Sequence, residues 1–454
     1  MNTIVAFCRY RGQILVFVAL VLIRGANAQT APPWLTRFQD GMARLQAGDL
    51  NTATAGFESL WKSNPGDAQL ATSIGGALDS TSHHDEATVW YERALALQPD
   101  FEPALKNLAM NDAIRGNLND SAALLGKVIR NNPENAEALY NLGLISLRLR
   151  QYSEAGDAFR KALQASNSPV LAPRIRLGEA TALFHLRRYG SAVDLLISSG
   201  GPTDSAGLVL LGSAQALSGK LPASVRTLQD AAARSPNDPQ VYFRLALIFS
   251  EGRRDQEAQA VLTTGLKQIP NSPLLQYGQA VLNEIAAKDE EAIRWAEQSL
   301  NGDNKQPEVW GLLGTLFDRR RRTDDGLRAY REALRLGAGA YTGAKYAELL
   351  VRLQIYGEAE SELLRLDRRF PHDERVNRAF GKLYRARGNF SRAEVYLRRA
   401  VRLDPSDPQA HYVLAQVLQH LGNGDEASKE LRSFKDTKEK SERIRLLEVV
   451  DSGL

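Results

Sequence analysis

The sequence predicts an all-α fold of about twelve helix-turn-helix repeats, and three observations predict it. First, residues 374–407 form a 34-residue unit in which Gly381, Tyr384, Gly388, Ala393, Leu397, Ala400 and Pro405 hold positions 8, 11, 15, 20, 24, 27 and 32. Second, small residues, apolar residues and a late proline return in phase along most of the chain, from Trp34 to about Lys435. Third, each of these residue types has a mechanical reason within a pair of antiparallel helices. Small residues at 8, 20 and 27 let the helices approach closely, Gly388 serves the turn between them, and Pro405 halts the second helix.

The units follow in order. The first opens at Trp34, after a linker over residues 29–33, and carries Gly41, Gly48, Ala53, Phe57 and Pro65 in phase. The second opens at Ala68, the third at Glu102, and the fourth at Ala136 with Gly143, Ala155, Phe159 and Ala162. The fifth is irregular. Setting Ala192 at position 20 and Leu196 at position 24 starts it at Pro173, with the first helix displaced by Pro169 and Pro173 and Gly200-Gly201-Pro202 replacing the closing turn. Further units open at Ser205, Pro239, Pro273, Pro307, Ala340, Glu374 and Pro408, so the array covers residues 34–435. Residues 436–454 read as a capping helix, centred on 442–450, and a tail, because the last apolar face of an array needs a polar cover.

This spacing resembles the tetratricopeptide repeat, whose signature has small residues, an aromatic and a late proline at the same places. The resemblance implies an α–α superhelix in which the first helix of each unit lines a concave groove through positions 2, 5, 6, 9, 12 and 13. It also implies a non-catalytic protein that binds partner proteins or peptide segments in that groove. Carried over residue by residue, the fourth unit offers Tyr140, Asn141 and Leu144, the seventh Phe243 and Arg244, and the eighth Tyr277. The tenth offers Lys345 and Arg352, the eleventh Arg375, Arg378, Lys382 and Arg385, and the twelfth Tyr412. The middle of the groove is then apolar and aromatic, and its C-terminal part basic. Some family members clamp a peptide carboxylate with Lys, Asn and Arg. Lys106, Asn141 and Arg174 match that clamp, whereas Met110 and Gly178 replace its other two members.

The basic stretch carries the sharpest expectation. Arg375, Arg378, Lys382 and Arg385 follow one another at three, four and three residues, which sets them on one helix face. Like charges stacked this way repel by about a few tenths of a kcal/mol per pair. Stability alone gives no reason for them, so they predict an acidic partner segment or an anionic polymer. The competing expectation is a solvated stripe screened by Glu348 and Glu374.

No catalytic residue, cofactor or metal is predicted. Leu217-Ser218-Gly219-Lys220-Leu221 resembles the end of a phosphate loop but lacks its first glycine and its Ser or Thr. His83-His84-Asp85-Glu86 falls in an inter-helix turn, where adjacent side chains diverge. The run Arg319–Arg322 is followed by Asp324 and Asp325 and reads as a turn with its own counter-charges.

The N-terminus reads as an export signal over residues 1–28. Arg9 and Arg11 form a basic start, Ile14 to Ile23 is an apolar run, and Ala26-Asn27-Ala28 is a cleavage site. That run is shorter than the ~20 residues a spanning helix needs, so no membrane span is expected after cleavage. Cleavage removes Cys8, the only cysteine, and Arg9, Arg11 and Arg24, leaving 54 basic against 53 acidic residues and a net charge of +1. The pI of about 9.0 therefore gives no argument for a nucleic-acid partner. A large exported chain without disulfides suits a bacterial periplasm. The expected role is a scaffold in envelope assembly or export, with an accessory that binds a cell-wall or exported polysaccharide as the alternative.

Overall fold

A computed structural model of the protein describes residues 34–198 and 200–441; the export signal, the linker and the cap expected over 442–450 lie outside the described residues. Twenty-four helices and no strand occupy the described residues, two helices to each of twelve repeats. The chain divides into two compact units, the first ending at Gly201 and the second beginning at Pro202. Repeats one to five lie in the first and six to twelve in the second. None of the described helices is long and apolar enough to cross a membrane.

The helices start where the sequence supplies caps. Asp67, Asn135, Asp204, Asp373 and Asp407 each accept a backbone N–H of the first turn that follows them, which satisfies donors that have no partner within the helix. Proline opens the first helices of repeats seven, eight, nine and twelve, where no N–H is needed. The same rule holds in the fifth repeat. Its first helix runs Leu171–His185, so the start is displaced as expected, to two residues ahead of Pro173, which sits inside the first turn. The second helix, Tyr189–Ser198, is the shortest described, and Gly200 and Gly201 beyond it have φ of +90° and +79°.

Position 8 is small because position 24 lies on it. A Cβ added to Gly381 would stand 2.4 Å from Leu397 Cγ, and one added to Gly75, Gly143 or Gly314 would stand 2.6 Å from a ring carbon of Tyr91, Phe159 or Tyr330. These position-24 side chains are buried in the cores. Each such burial stabilises by about 1.5–3 kcal/mol. In the first unit the cores gather Phe57, Tyr91 and Phe159; in the second they gather Phe243, Tyr330 and Phe380.

The inter-helix turn is the most regular feature of all. Position 15 has a positive φ in every one of the twelve repeats. Five repeats use glycine there (Gly48, Gly116, Gly219, Gly388 and Gly422). The other seven hold Ser82, Arg150, Arg187, Arg253, Ala287, Arg321 and Gln354 in the same left-handed conformation, with φ between 55° and 65°. Arg187 falls at position 15 only if the fifth repeat starts at Pro173, so the turn fixes the register of the irregular unit.

The last described helix, Gly424–Ser441, runs on past residue 435, where the array was expected to end.

Candidate binding face

Within the second unit consecutive first helices pack against one another, so positions 2, 5 and 9 of neighbouring repeats share one side of a continuous row. In the second unit this row contains Pro239–Glu251, Pro273–Ile285, Pro307–Arg319, Ala340–Arg352, Glu374–Ala386 and Pro408–His420.

At its C-terminal end the expected basic stripe is present, but its charges are already paired. Arg378 is 9% exposed and bonds to Asp407, the cap of the next repeat, with Glu348 of the preceding repeat 3.8 Å away. Lys382 Nζ donates to Glu348 at 2.8 Å. Arg375 pairs with Asp373 at 2.6 Å and with Glu374 at 3.5 Å, and Arg385 donates to Gln416. Four carboxylates thus face three of the stripe's cations. Burial would raise the Glu348 carboxyl, but Lys382, Lys345 and Arg378 outweigh it and hold the group below its ordinary value. Burial also depresses the Lys382 ammonium, and Glu348 does not restore it. The two ends of this contact differ because Lys382 shares its carboxylate with Arg378 and stands beside Lys345. The stripe is therefore not a run of unpaired surface charge.

The middle of the row is different. Tyr277, of the eighth repeat, is half-buried, and its ring stacks on Phe243 at 5.7 Å. Burial, then the charge of Glu308 and the nearby Tyr341, push its phenol well above the usual value, with Glu284 adding and Arg244 opposing. Those groups come from four consecutive first helices. Glu308 itself is half-buried, and burial raises its carboxyl, opposed only by its own backbone N–H. Lys345 Nζ lies 5.7 Å from the centre of the Tyr341 ring.

Several expected groove residues lie elsewhere. Phe243 is fully buried, because Gly278 has no side chain and a Cβ there would meet the Phe243 ring at 3.0 Å. Arg244, Tyr140 and Asn141 are buried too, while Leu144 is half-buried. For the four buried residues this corrects a surface role. Position 5 or 6 points inward only as far as the neighbouring repeat leaves it uncovered. Arg352 is exposed and bonds to Asp318, and Tyr412 is 42% exposed with its ring 5.2 Å from Phe434. The carboxylate clamp is not assembled: Lys106 is taken by Glu137 at 2.9 Å and Glu102 at 3.2 Å, and a side chain at Gly178 would strike Phe159.

Other sequence motifs are absorbed by structure. His84 Nδ1 meets Asp79 at 2.8 Å, and Asp79 also accepts from Tyr91 and Asn111. In the arginine run, Arg319 pairs with Glu284 and Asp289, and Arg320 with Glu290, all in the preceding repeat, while Arg322 pairs with Asp325. Among the described residues no cluster of three or more His, Cys, Asp or Glu is placed to hold a metal. The sequence reading passed over Glu308 and Tyr341. Both occupy position 2, which was a clear enough signal, but the ninth repeat was assigned no groove residue.

Tetratricopeptide repeat models match residues 114–169 and 384–448. The chain is similar to cellulose synthase operon protein C of Pseudomonas fluorescens (strain SBW25), with 24% identity over 68% of this chain and 26% of that protein. It is similar also to human PEX5-related protein, with 31% identity over 22% of this chain and 16% of the relative. The chain therefore spans about a quarter or less of the length of these two curated relatives. Among solved structures it is similar to yeast Tom70, with 16% identity, a TM-score of 0.45 and coverage of 92% of this chain and 95% of that one. A tetratricopeptide repeat protein from Parabacteroides merdae ATCC 43184 is similar over 63% of this chain and 98% of its own, with 19% identity and a TM-score of 0.40. The twelve phased helix pairs and the two matching segments are those of tetratricopeptide repeats.

Proposed function

We propose that this protein is a non-catalytic scaffold that holds segments of partner proteins against the first helices of repeats seven to twelve. The observation that carries this reading is the continuous row of tyrosines and charged groups, Tyr277, Glu308, Tyr341 and Lys345, drawn from consecutive repeats. Repeat arrays bind through surfaces of this kind, built by stacking like modules. Photo-crosslinking tests it. A benzophenone side chain placed at Tyr341 should yield discrete protein adducts in the source cells, and one placed at Val395, exposed on a second helix, should yield none. Adducts from Val395 alone would overturn it.

The setting proposed is a bacterial envelope assembly or export process. The basic start, apolar run and Ala26-Asn27-Ala28 support it, because that combination directs export. Intact mass of the envelope fraction should give a mature chain beginning at Gln29, and a main form retaining Cys8 would refute it.

The second reading is an accessory that binds exported polysaccharide, and the similarity to a cellulose synthase operon protein favours it. Tyr277, Tyr341 and Tyr412 supply aromatic surface on the row. Affinity electrophoresis through gels containing defined glucans would show retardation, lost with Tyr341→Ala, if this reading holds.

A further inference from the structure

Glu308 is the carboxylate in the second unit that lacks what its neighbours have. Glu284, which also acts on Tyr277, is held by Arg319 at 3.1 Å, and Glu348 is held by Lys382 at 2.8 Å. Glu308 makes no ion pair among the described residues, and no cation acts on it to offset its burial. Tyr277 and Tyr341 lie on the first helices of the repeats before and after, at positions 5 and 2 of the same row, and Tyr277 feels the charge of Glu308 as well as Tyr341. An aromatic face attracts a cation, and a half-buried carboxylate is stabilised by one.

We propose that this face binds a protein segment through a lysine or arginine side chain seated on Glu308 beside the rings of Tyr277 and Tyr341. The inference rests on the scaffold reading and names the side chain that the scaffold recognises. Charge complementarity selects the occupant. An acidic segment would meet Glu308 uncompensated and, further along, a stripe whose cations are already bound to Asp407, Glu348 and Asp373. A hard metal ion would need several oxygen ligands, and one carboxylate with two phenols does not supply them. No cation of the neighbouring first helices pairs with Glu308 among the described residues. Arg244 acts on Tyr277 from the seventh repeat, Lys345 lies over Tyr341 and towards Glu348, and Arg375 is held by Asp373.

The test is selection from a random twelve-residue peptide display library on the purified chain. The native chain should enrich peptides sharing one Lys or Arg position. Glu308→Gln, which keeps the side-chain shape, should weaken those peptides about tenfold, the loss of one charge-assisted contact. Glu308→Lys should shift the enrichment to Asp or Glu. Circular dichroism melting checks that both variants fold. The inference is overturned if basic peptides bind Glu308→Gln as tightly as native, or if the native chain enriches no basic position. Enrichment of non-basic peptides that are lost on Tyr341→Ala would sink the basic-side-chain inference and keep the scaffold. No enrichment of any kind would sink both.

Discussion

Two stretches of the same row of helices handle charge in opposite ways. In repeats ten to twelve, Arg378 sits between Glu348 and Asp407 while Lys382 pairs with Glu348, and Glu348 is held below its ordinary pKa in spite of its burial. In repeats eight to ten, Glu308 is raised by burial because nothing positive faces it. A cluster of like charges in one helix therefore says little about what a repeat surface offers. The cations that looked like a binding stripe are mortar between repeats, and Glu308 is a half-buried carboxylate left without an ion pair among the described residues.

The largest effect that would break this comparison is at Arg378. Its removal leaves Asp407 and Glu348 without a buried partner, and Arg378→Ala should cost about 3–5 kcal/mol in thermal or urea unfolding. A variant that melts like the native chain would return the stripe to the solvent. Next comes packing. Gly381→Ala places a Cβ against Leu397 and should cost about 1–3 kcal/mol.

The turn should behave in the opposite sense. Ala287→Gly, at a left-handed position, should raise stability by up to about 1 kcal/mol, whereas Gly388→Ala should lower it by a similar amount. The smallest effect is at Glu308. Glu308→Gln should leave melting at neutral pH unchanged or slightly raised, since the ionised form is the one that burial disfavours.

Most of the fold was legible because the repeat constrains every thirty-fourth residue by one geometry. Gly381 under Leu397 and Gly143 under Phe159 show why position 8 is small, and the pattern carried through even the proline-interrupted fifth repeat. Glycine, however, was a poor guide to the turn. The conformation recurs in all twelve repeats, but Arg150, Arg253 and Arg321 adopt it without being glycine, since the helices on both sides fix it.

The site was legible only in part. The sequence reading named Glu348 and Glu374 as screening neighbours of the stripe, but it missed Asp407, which caps the next helix 29 residues beyond Arg378 and is out of reach of a reading confined to one helix. Phe243 failed for a related reason: its exposure is decided by Gly278 on the next repeat.

The most direct test of the contrast is a carbon-13 titration of the glutamate carboxyls, with Glu308 and Glu348 assigned through their Gln variants. Glu348 is lowered in the fold, so its stabilising contribution is present above the ordinary carboxyl pKa and is lost as pH falls through the lowered one. Glu308 is raised, so its contribution is full below the ordinary value and is lost as pH rises through the raised one. The predicted result is a Glu308 midpoint above the ordinary glutamate value of about 4.3 and a Glu348 midpoint below it. Midpoints in the reverse order, or both at the ordinary value, would contradict the account.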